Sequence, residues 1–384
     1  MAAPRVLIYV QHLLGVGHLH RVATIARAMR RGGCTTMLVS GGLPDPTLHG
    51  LDGIDFIQLP PARAKDAAFK ILLDETDSEV TDAWKAMRSR KLQATVTAFS
   101  PDAILTELFP FGRRQMRFEL LPLLDKLHRQ PRRPLIFCSV RDILVDRSKP
   151  QHDLDTLSWL QTYYDGVLVH GDPAIVPFEQ TFPPASKIRD KLYYTGYIAE
   201  RHAVAATDAG AGEVLVSAGG GAVGMALFDA ALAARPLSLA HAAPWRLLVS
   251  AQEDAGAIAA LQHRAGPDVI IEPVRPDFPG MLRHCLLSIS KAGYNTVMET
   301  LGSGARAVVV PFAGGRETEQ TLRAELLAQR GLLQILSEQD TSPETLARAI
   351  DRALTAPRPD PRAIRLDGAE DTARRVRELV EARP

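Results

Sequence analysis

The sequence predicts an α/β fold built from two doubly wound domains, each a parallel sheet with helices on both faces. Three observations carry this expectation. The chain has 384 residues, enough for two separate cores at roughly 100–200 residues per domain. Short apolar, β-branched runs alternate with segments of helical period along most of its length. The opening pattern of strand, glycine loop and helix recurs in kind at residues 213–234.

In the first half, the run Arg5–Val10 reads as a strand, and the turn Gly15-Val16-Gly17-His18 follows it. Leu19, Val22, Ile25, Ala26 and Met29 then recur at helical spacing. Further strands are expected at 36–39, 56–59, 103–105, 135–140 and 166–170. The small-residue stretch 201–212 lacks a buried period and reads as a linker between a first domain, 1–200, and a second, 213–360. In the second domain, strands are expected at 213–217, 246–250, 269–272, 286–289 and 307–310, and helices at 225–234, 317–330 and 343–355. The Pro357–Pro361 break lets a last helix, within 361–384, leave the second domain and pack back on the first.

Composition narrows the function. A hydrophobic fraction of 46% with 23% charged residues fits a globular protein and excludes collagen-like or coiled-coil structure. Lys and Arg number 45 and Asp and Glu 44, so the formal charge of +1 gives no reason to expect a nucleic-acid partner; a small or locally charged ligand is expected. Cys34, Cys138 and Cys285 are scattered and odd in number, and read as reduced thiols of a cytoplasmic protein. No window approaches the ~20 apolar residues of a membrane span.

Gly219, Gly221 and Gly224 satisfy G-x-G-x-x-G between an expected strand and helix, with Gly220 inside the run. Backbone amides and a helix N-terminus in that context can hold a diphosphate. The same glycines also suit a strand-to-helix turn needing positive φ. Glu253 and Asp254, just past the next strand, sit where a ribose-binding acid of a nicotinamide enzyme would lie, so that ligand is a rival. Ser290-Lys291-Ala292-Gly293-Tyr294-Asn295-Thr296 leads from another strand into a helix carrying Glu299, which offers a second anion site. Glu319 and Gln320 follow a polar loop after a buried strand, where sugar hydroxyls find partners.

In order along the chain, these features resemble glycosyltransferases of the GT-B fold, family 28 among them, the family of the peptidoglycan N-acetylglucosaminyltransferase. The resemblance is strongest over residues 286–333. It implies two Rossmann-like domains facing across a cleft and a nucleotide-diphosphate sugar, UDP-sugar favoured, as co-substrate with no other cofactor and no metal. By that resemblance Gly219, Gly220 and Gly221 contact the diphosphate, and Gly293, Tyr294, Asn295 and Thr296 face it from the second helix. Glu299 holds the ribose, Glu319 and Gln320 the donor sugar, and Val274 reads the base. Glu319 replaces the usual amide, Lys291 stands where a relative has Arg, and Arg323-Ala324 replaces Asn-Ala, which leaves the sugar open.

Gly15 and Gly17 match the family's acceptor-side loop, which makes His18 the favoured general base; a neutral imidazole can take a proton from an acceptor hydroxyl. Glu107 and Asp142, at carboxyl ends of expected strands, are rival bases, and His12 and His20 weaker ones. Asp153-Leu154-Asp155 reads as a helix start in preference to a metal site. The stretch Phe109–Phe118 mixes basic and aromatic residues, read either as a helix face with a buried aromatic side or as a contact to an anionic membrane or a lipid-linked acceptor at the inner face of the membrane. The expected reaction is inverting, metal-independent transfer to an acceptor hydroxyl on a small molecule or lipid. An epimerase of the same fold, a nicotinamide dehydrogenase and a non-catalytic nucleotide-sugar-binding protein are the alternatives.

Overall fold

In the computed structural model, which describes residues 3–66, 69–144, 150–199, 208–218, 224–250, 253–312 and 319–383, the chain divides into two units, Met1–Ile198 with Asp367–Pro384, and Ala199–Leu366.

The first unit runs β1 (Arg5–Val10), α1 (Gly17–Arg31), β2 (Thr35–Ser40), β3 (Asp55–Gln58), the short pair β4 (Arg63–Ala64) and β5 (Leu72–Leu73), α2 (Asp82–Phe99), β6 (Ala103–Glu107), α3 (Arg117–His128), β7 (Leu135–Arg141), α4 (Pro150–Tyr163), β8 (Gly166–His170) and β9 (Leu192–Tyr194). Its seven-stranded sheet has the order β3-β2-β1-β6-β7-β8-β9, parallel at every pairing. Residues Val6–Val10 are buried on both strand faces, which is why the run is continuously apolar and not alternating. Strand order reverses between β1 and β6, the place where doubly wound sheets open a crevice at their carboxyl edge.

The second unit runs β10 (Val214–Ser217), α5 (Met225–Ala234), β11 (Trp245–Val249), α6 (Ala255–Arg264), β12 (Val269–Pro273), α7 (Phe278–His284), β13 (Leu287–Lys291), α8 (Tyr294–Ser303), β14 (Ala307–Val310), α9 (Glu319–Ala328), β15 (Gln334–Ile335) and α10 (Pro343–Thr355). Its six strands, β12-β11-β10-β13-β14-β15, are again all parallel, and the order reverses between β10 and β13. Ser342 caps α10 by a reciprocal box with Thr345, with Pro343 at the first helical position.

Two boundaries differ from the sequence reading. Of the stretch expected as a linker, 201–207 lie outside the described residues, but 208–212 pack on α7: Gly212 N–H donates to His284 O at 3.0 Å, and a Cβ on Gly210 would stand 2.8 Å from Met281 Cβ. At the other end, a short turn at Pro361–Ala363 stays with α8, since a Cβ on Gly304 would meet Pro361 at 3.0 Å. The chain rejoins the first unit only with α11 (Gly368–Glu381), whose Ala369, Ala373 and Val376 share a core with Leu19, Val22 and Ile25 of α1.

Candidate functional site

The carboxyl edge of the first sheet gathers a polar cluster at its switch point. After β1, Gly15 turns the chain at φ +65°, a left-handed conformation that favours glycine, and α1 begins at Gly17. A Cβ on either glycine would meet nothing within 4 Å, so the loop faces open space. His18 in the first turn of α1 places Nδ1 2.9 Å from Glu107 Oε1 at the end of β6. Arg21, one helical turn on, donates to the same oxygen. The register puts Glu107 opposite Ser139 of β7, and the Ser139 hydroxyl lies 2.6 Å from Glu107 Oε2 and 2.8 Å from His170 Nε2. His170 Nδ1 is 2.9 Å from Thr195 Oγ1.

Electrostatics assign the charges. Burial alone would raise the Glu107 carboxyl, but the Arg21 charge and hydrogen bonds from His18 and Ser139 hold it well below the usual carboxylate range. Burial pushes His18 down to about 3 against the hydrogen bond to Glu107, helped by the charges of Arg21 and Arg141. His170 is likewise lowered to about 3, by burial and then Arg21. At neutral pH the cluster is a carboxylate clamped between an arginine and two neutral imidazoles. Arg21 Nη2 also lies 3.0 Å from His18 Nδ1; with Arg21 donating to Glu107 and Glu107 accepting from the imidazole, His18 would carry its proton on Nδ1 and keep a lone pair on Nε2. The His18 side chain is 14% exposed, whereas Glu107 is fully enclosed.

The structure therefore joins two of the three candidate bases, with Glu107 enclosed and the His18 side chain partly exposed in front of it. Asp142 does not join them; it is fully buried, with Oδ1 accepting the Ile143 N–H at 2.9 Å, and offers no surface to an acceptor. His12 is buried and lowered to about 4 by burial and Arg113. His20 Nε2 lies 2.8 Å from Asp45. Arg21, Ser139, His170 and Thr195 were not singled out by the sequence; the available signal was a polar side chain in an otherwise apolar strand for Ser139 and His170, and there was none for Arg21 within α1 or Thr195 after β9.

In the second unit, Gly219, Gly220 and Gly221 lie outside the described residues. Their flanks do not: Ser217 ends β10 opposite Ser290 of β13, so the loop after β10 and the turn Lys291–Gly293 leave adjacent parallel strands at the same edge. Gly293 precedes the first residue of α8 with φ −60° and ψ 142°, and a Cβ there would meet nothing within 4 Å. The first-turn amides of α8 thus border open space, with Asn295 exposed and Thr296 and Glu299 half-buried. The Tyr294 ring is buried, with the Arg323 guanidinium 5.0 Å above it. Lys291 is tied to Glu338 at 2.5 Å. Glu319 is buried and its Oε1 accepts from Arg323 at 2.8 Å, while Gln320 Oε1 accepts the Phe312 N–H at 3.2 Å. Val274, at the end of β12, is 47% exposed and donates its N–H to Val249 O at 3.1 Å.

The acids expected to hold a nicotinamide ribose have other work. Glu253 Oε1 accepts the Gly224 N–H at 2.8 Å, and Asp254 caps α6 by accepting from Ala257 N–H at 2.8 Å. Both carboxylates are used by helix N-termini, which removes the feature that favoured a dinucleotide. Asp153 and Asp155 fall in the first turns of α4, Asp155 paired with Arg114 at 2.5 Å. Phe109 and Phe111 are buried, but in the turn that precedes α3 and not on a helix face. Among the described residues no helix is long and apolar enough to cross a membrane.

Residues 250–376 match the glycosyltransferase family 28 C-terminal domain. The matched stretch includes α8 with its open N-terminus, and Glu319 and Gln320. A UDP-N-acetylglucosamine--N-acetylmuramyl-(pentapeptide) pyrophosphoryl-undecaprenol N-acetylglucosamine transferase of Brucella anthropi is 29% identical over 169 residues, 42% of this chain and 45% of its own length. The protein of that name from Phenylobacterium zucineum is 32% identical over 117 residues, 30% of this chain and 32% of its own. The match thus spans less than half the length of these curated relatives. The fold of the whole chain is that of GT-B glycosyltransferases. The calicheamicin glycosyltransferase CalG4 superposes with a TM-score of 0.60 at 14% identity, covering 100% of this chain and 95% of its own. Acinetobacter baumannii MurG gives 0.59 at 15% identity, covering 99% and 100%.

Proposed function

We propose that the protein is an inverting, metal-independent glycosyltransferase that moves a sugar from a nucleotide-diphosphate sugar, UDP-linked, to an acceptor hydroxyl. The observation that carries this reading is the register of β10 with β13 inside a unit bearing the family 28 domain: two loops leave adjacent strands where the order reverses, one of them opening onto the unobstructed N-terminus of α8. A diphosphate leaving group gains negative charge as the glycosidic bond breaks, and free helix amides can stabilise it without a divalent ion. Each well-placed donor contributes on the order of 3 kcal/mol to such a transition state.

The first unit supplies the base. Nε2 of His18 takes the proton of the acceptor hydroxyl as that oxygen attacks the anomeric carbon, and Glu107 stabilises the imidazolium through Nδ1–H. Attack by an acceptor activated in this way, with departure of the diphosphate in the same step, inverts the anomeric carbon. In this reading Glu299 binds the ribose, Gln320 and Glu319 the sugar, and Val274 the base, the roles that the family resemblance implies. The relatives' names specify UDP-N-acetylglucosamine and a pyrophosphoryl-undecaprenol acceptor; these are the first donor and acceptor to try, and a lipid-linked acceptor would bring the protein to the membrane face. Incubation with UDP-sugars and this acceptor, read by UDP release and by NMR of the product's anomeric proton, is expected to show transfer with inversion. Retention, or epimerised donor without any transfer, would overturn the proposal.

A further inference from the structure

An ionised Glu107 favours one arrangement of protons in the side chains behind His18. Ionised Glu107 can only accept, so the Ser139 hydroxyl donates to Oε2 at 2.6 Å. The Ser139 oxygen then accepts Nε2–H of His170 at 2.8 Å, and His170 Nδ1, left without a proton, accepts from Thr195 Oγ1 at 2.9 Å. Glu107, Ser139, His170 and Thr195 are each no more than 1% exposed. Two neighbouring strands, β7 and β8, thus each place a buried polar side chain in line with one carboxylate. Valine or leucine at both positions would fill the same space with no polar group to satisfy.

We infer that Ser139 and His170 are positioning residues: they fix the rotation of the Glu107 carboxylate and, through it, the tautomer and orientation of His18. The inference rests on His18 being the base of the proposed transfer. Without the Ser139 donor, Oε2 has lost the bond that sets the carboxylate plane, and Oε1 is held by Arg21 as well as by His18. The carboxylate can then turn toward the guanidinium and release the imidazole. The ionisable groups that face the pair are Arg21 on α1, Arg113 before α3, Arg141 ending β7 and His170 ending β8.

The test is ¹⁵N NMR of the histidine rings in the full-length protein together with steady-state kinetics. In the wild type, His18 is expected as the Nδ1–H tautomer. Ser139→Ala and His170→Leu are expected to lower that population and to lower kcat about tenfold or more, leaving KM for the UDP-sugar unchanged. His170→Gln keeps an N–H donor for Ser139 and is expected to restore both. Ser139→Cys, a weaker donor of similar size, gives the same readout where the alanine variant folds poorly. An unchanged His18 tautomer in a folded Ser139→Ala or Ser139→Cys variant would overturn the inference whatever the rate. A shifted tautomer in a protein whose wild type transfers no sugar would keep the positioning role and remove the glycosyltransferase reading instead.

Discussion

Replacing Glu107 with Gln keeps the shape of the side chain and removes its charge. Arg21 is 4% exposed and Glu107 fully buried, so the variant leaves a guanidinium without its counter-charge in the sheet edge. Breaking a buried pair from one side costs about 3–5 kcal/mol. For a domain of ~150–250 residues, each kcal/mol lowers Tm by about 2–4 °C, which gives a drop of roughly 6–20 °C. The neutral amide also cannot stabilise an imidazolium, and its NH₂ competes with Nδ1–H as a donor. By analogy with the aspartate of a serine-protease triad, kcat is expected to fall by roughly 10³–10⁴-fold. Calorimetry and transfer kinetics on one preparation read both effects. A folded variant melting within ~2 °C of wild type, with kcat within about threefold, would refute the assignment of Glu107 as the charged partner of both Arg21 and His18.

Three further outcomes are expected. His12, His18 and His170 are held neutral in the native state, at about 4, 3 and 3, while the unfolded rings titrate near 6.5. Below that pH the unfolded chain binds protons the native one does not, so stability is complete above pH ~6.5 and declines as pH falls, by up to about 2 kcal/mol per ring at pH 5; urea midpoints at the two pH values check it, and His170→Gln should flatten the slope. Gly293→Ala adds a methyl with nothing within 4 Å at an ordinary φ, so stability should stay within ~0.5 kcal/mol while KM for the donor rises about tenfold. Glu253→Gln removes a negative charge from the N-terminus of α5 and should tighten UDP binding about 3- to 10-fold, roughly 1 kcal/mol, by titration calorimetry.

The strands of both sheets were legible because parallel strands buried on both faces read as unbroken apolar runs; Arg5–Val10 and Ala307–Val310 are examples. Helix α2 was hidden because its buried face includes Arg88 and Ser89, and Arg88 is satisfied by Glu119, Gln11 and backbone carbonyls that no local pattern announces. Helix α3 was obscured by Pro122 within it. The edge strands β9 and β15 are three and two residues long, too short to show a period. At the candidate site, His18 and Glu107 were legible from their places after strands. What joins them was not: the Ser139–His170 link depends on β7 lying between β6 and β8, a matter of strand order rather than of spacing along the chain.

The most direct test of a nucleotide-diphosphate site in the second unit is a melting-temperature panel of UDP, GDP and dTDP on the full-length wild-type protein and on Gly293→Ala. UDP at about 100 times its Kd is expected to stabilise the wild type by about 2.7 kcal/mol, with a smaller shift in the variant at the same concentration. No shift with any of the three nucleotides, or equal shifts in both proteins, would contradict a diphosphate bound at the N-terminus of α8.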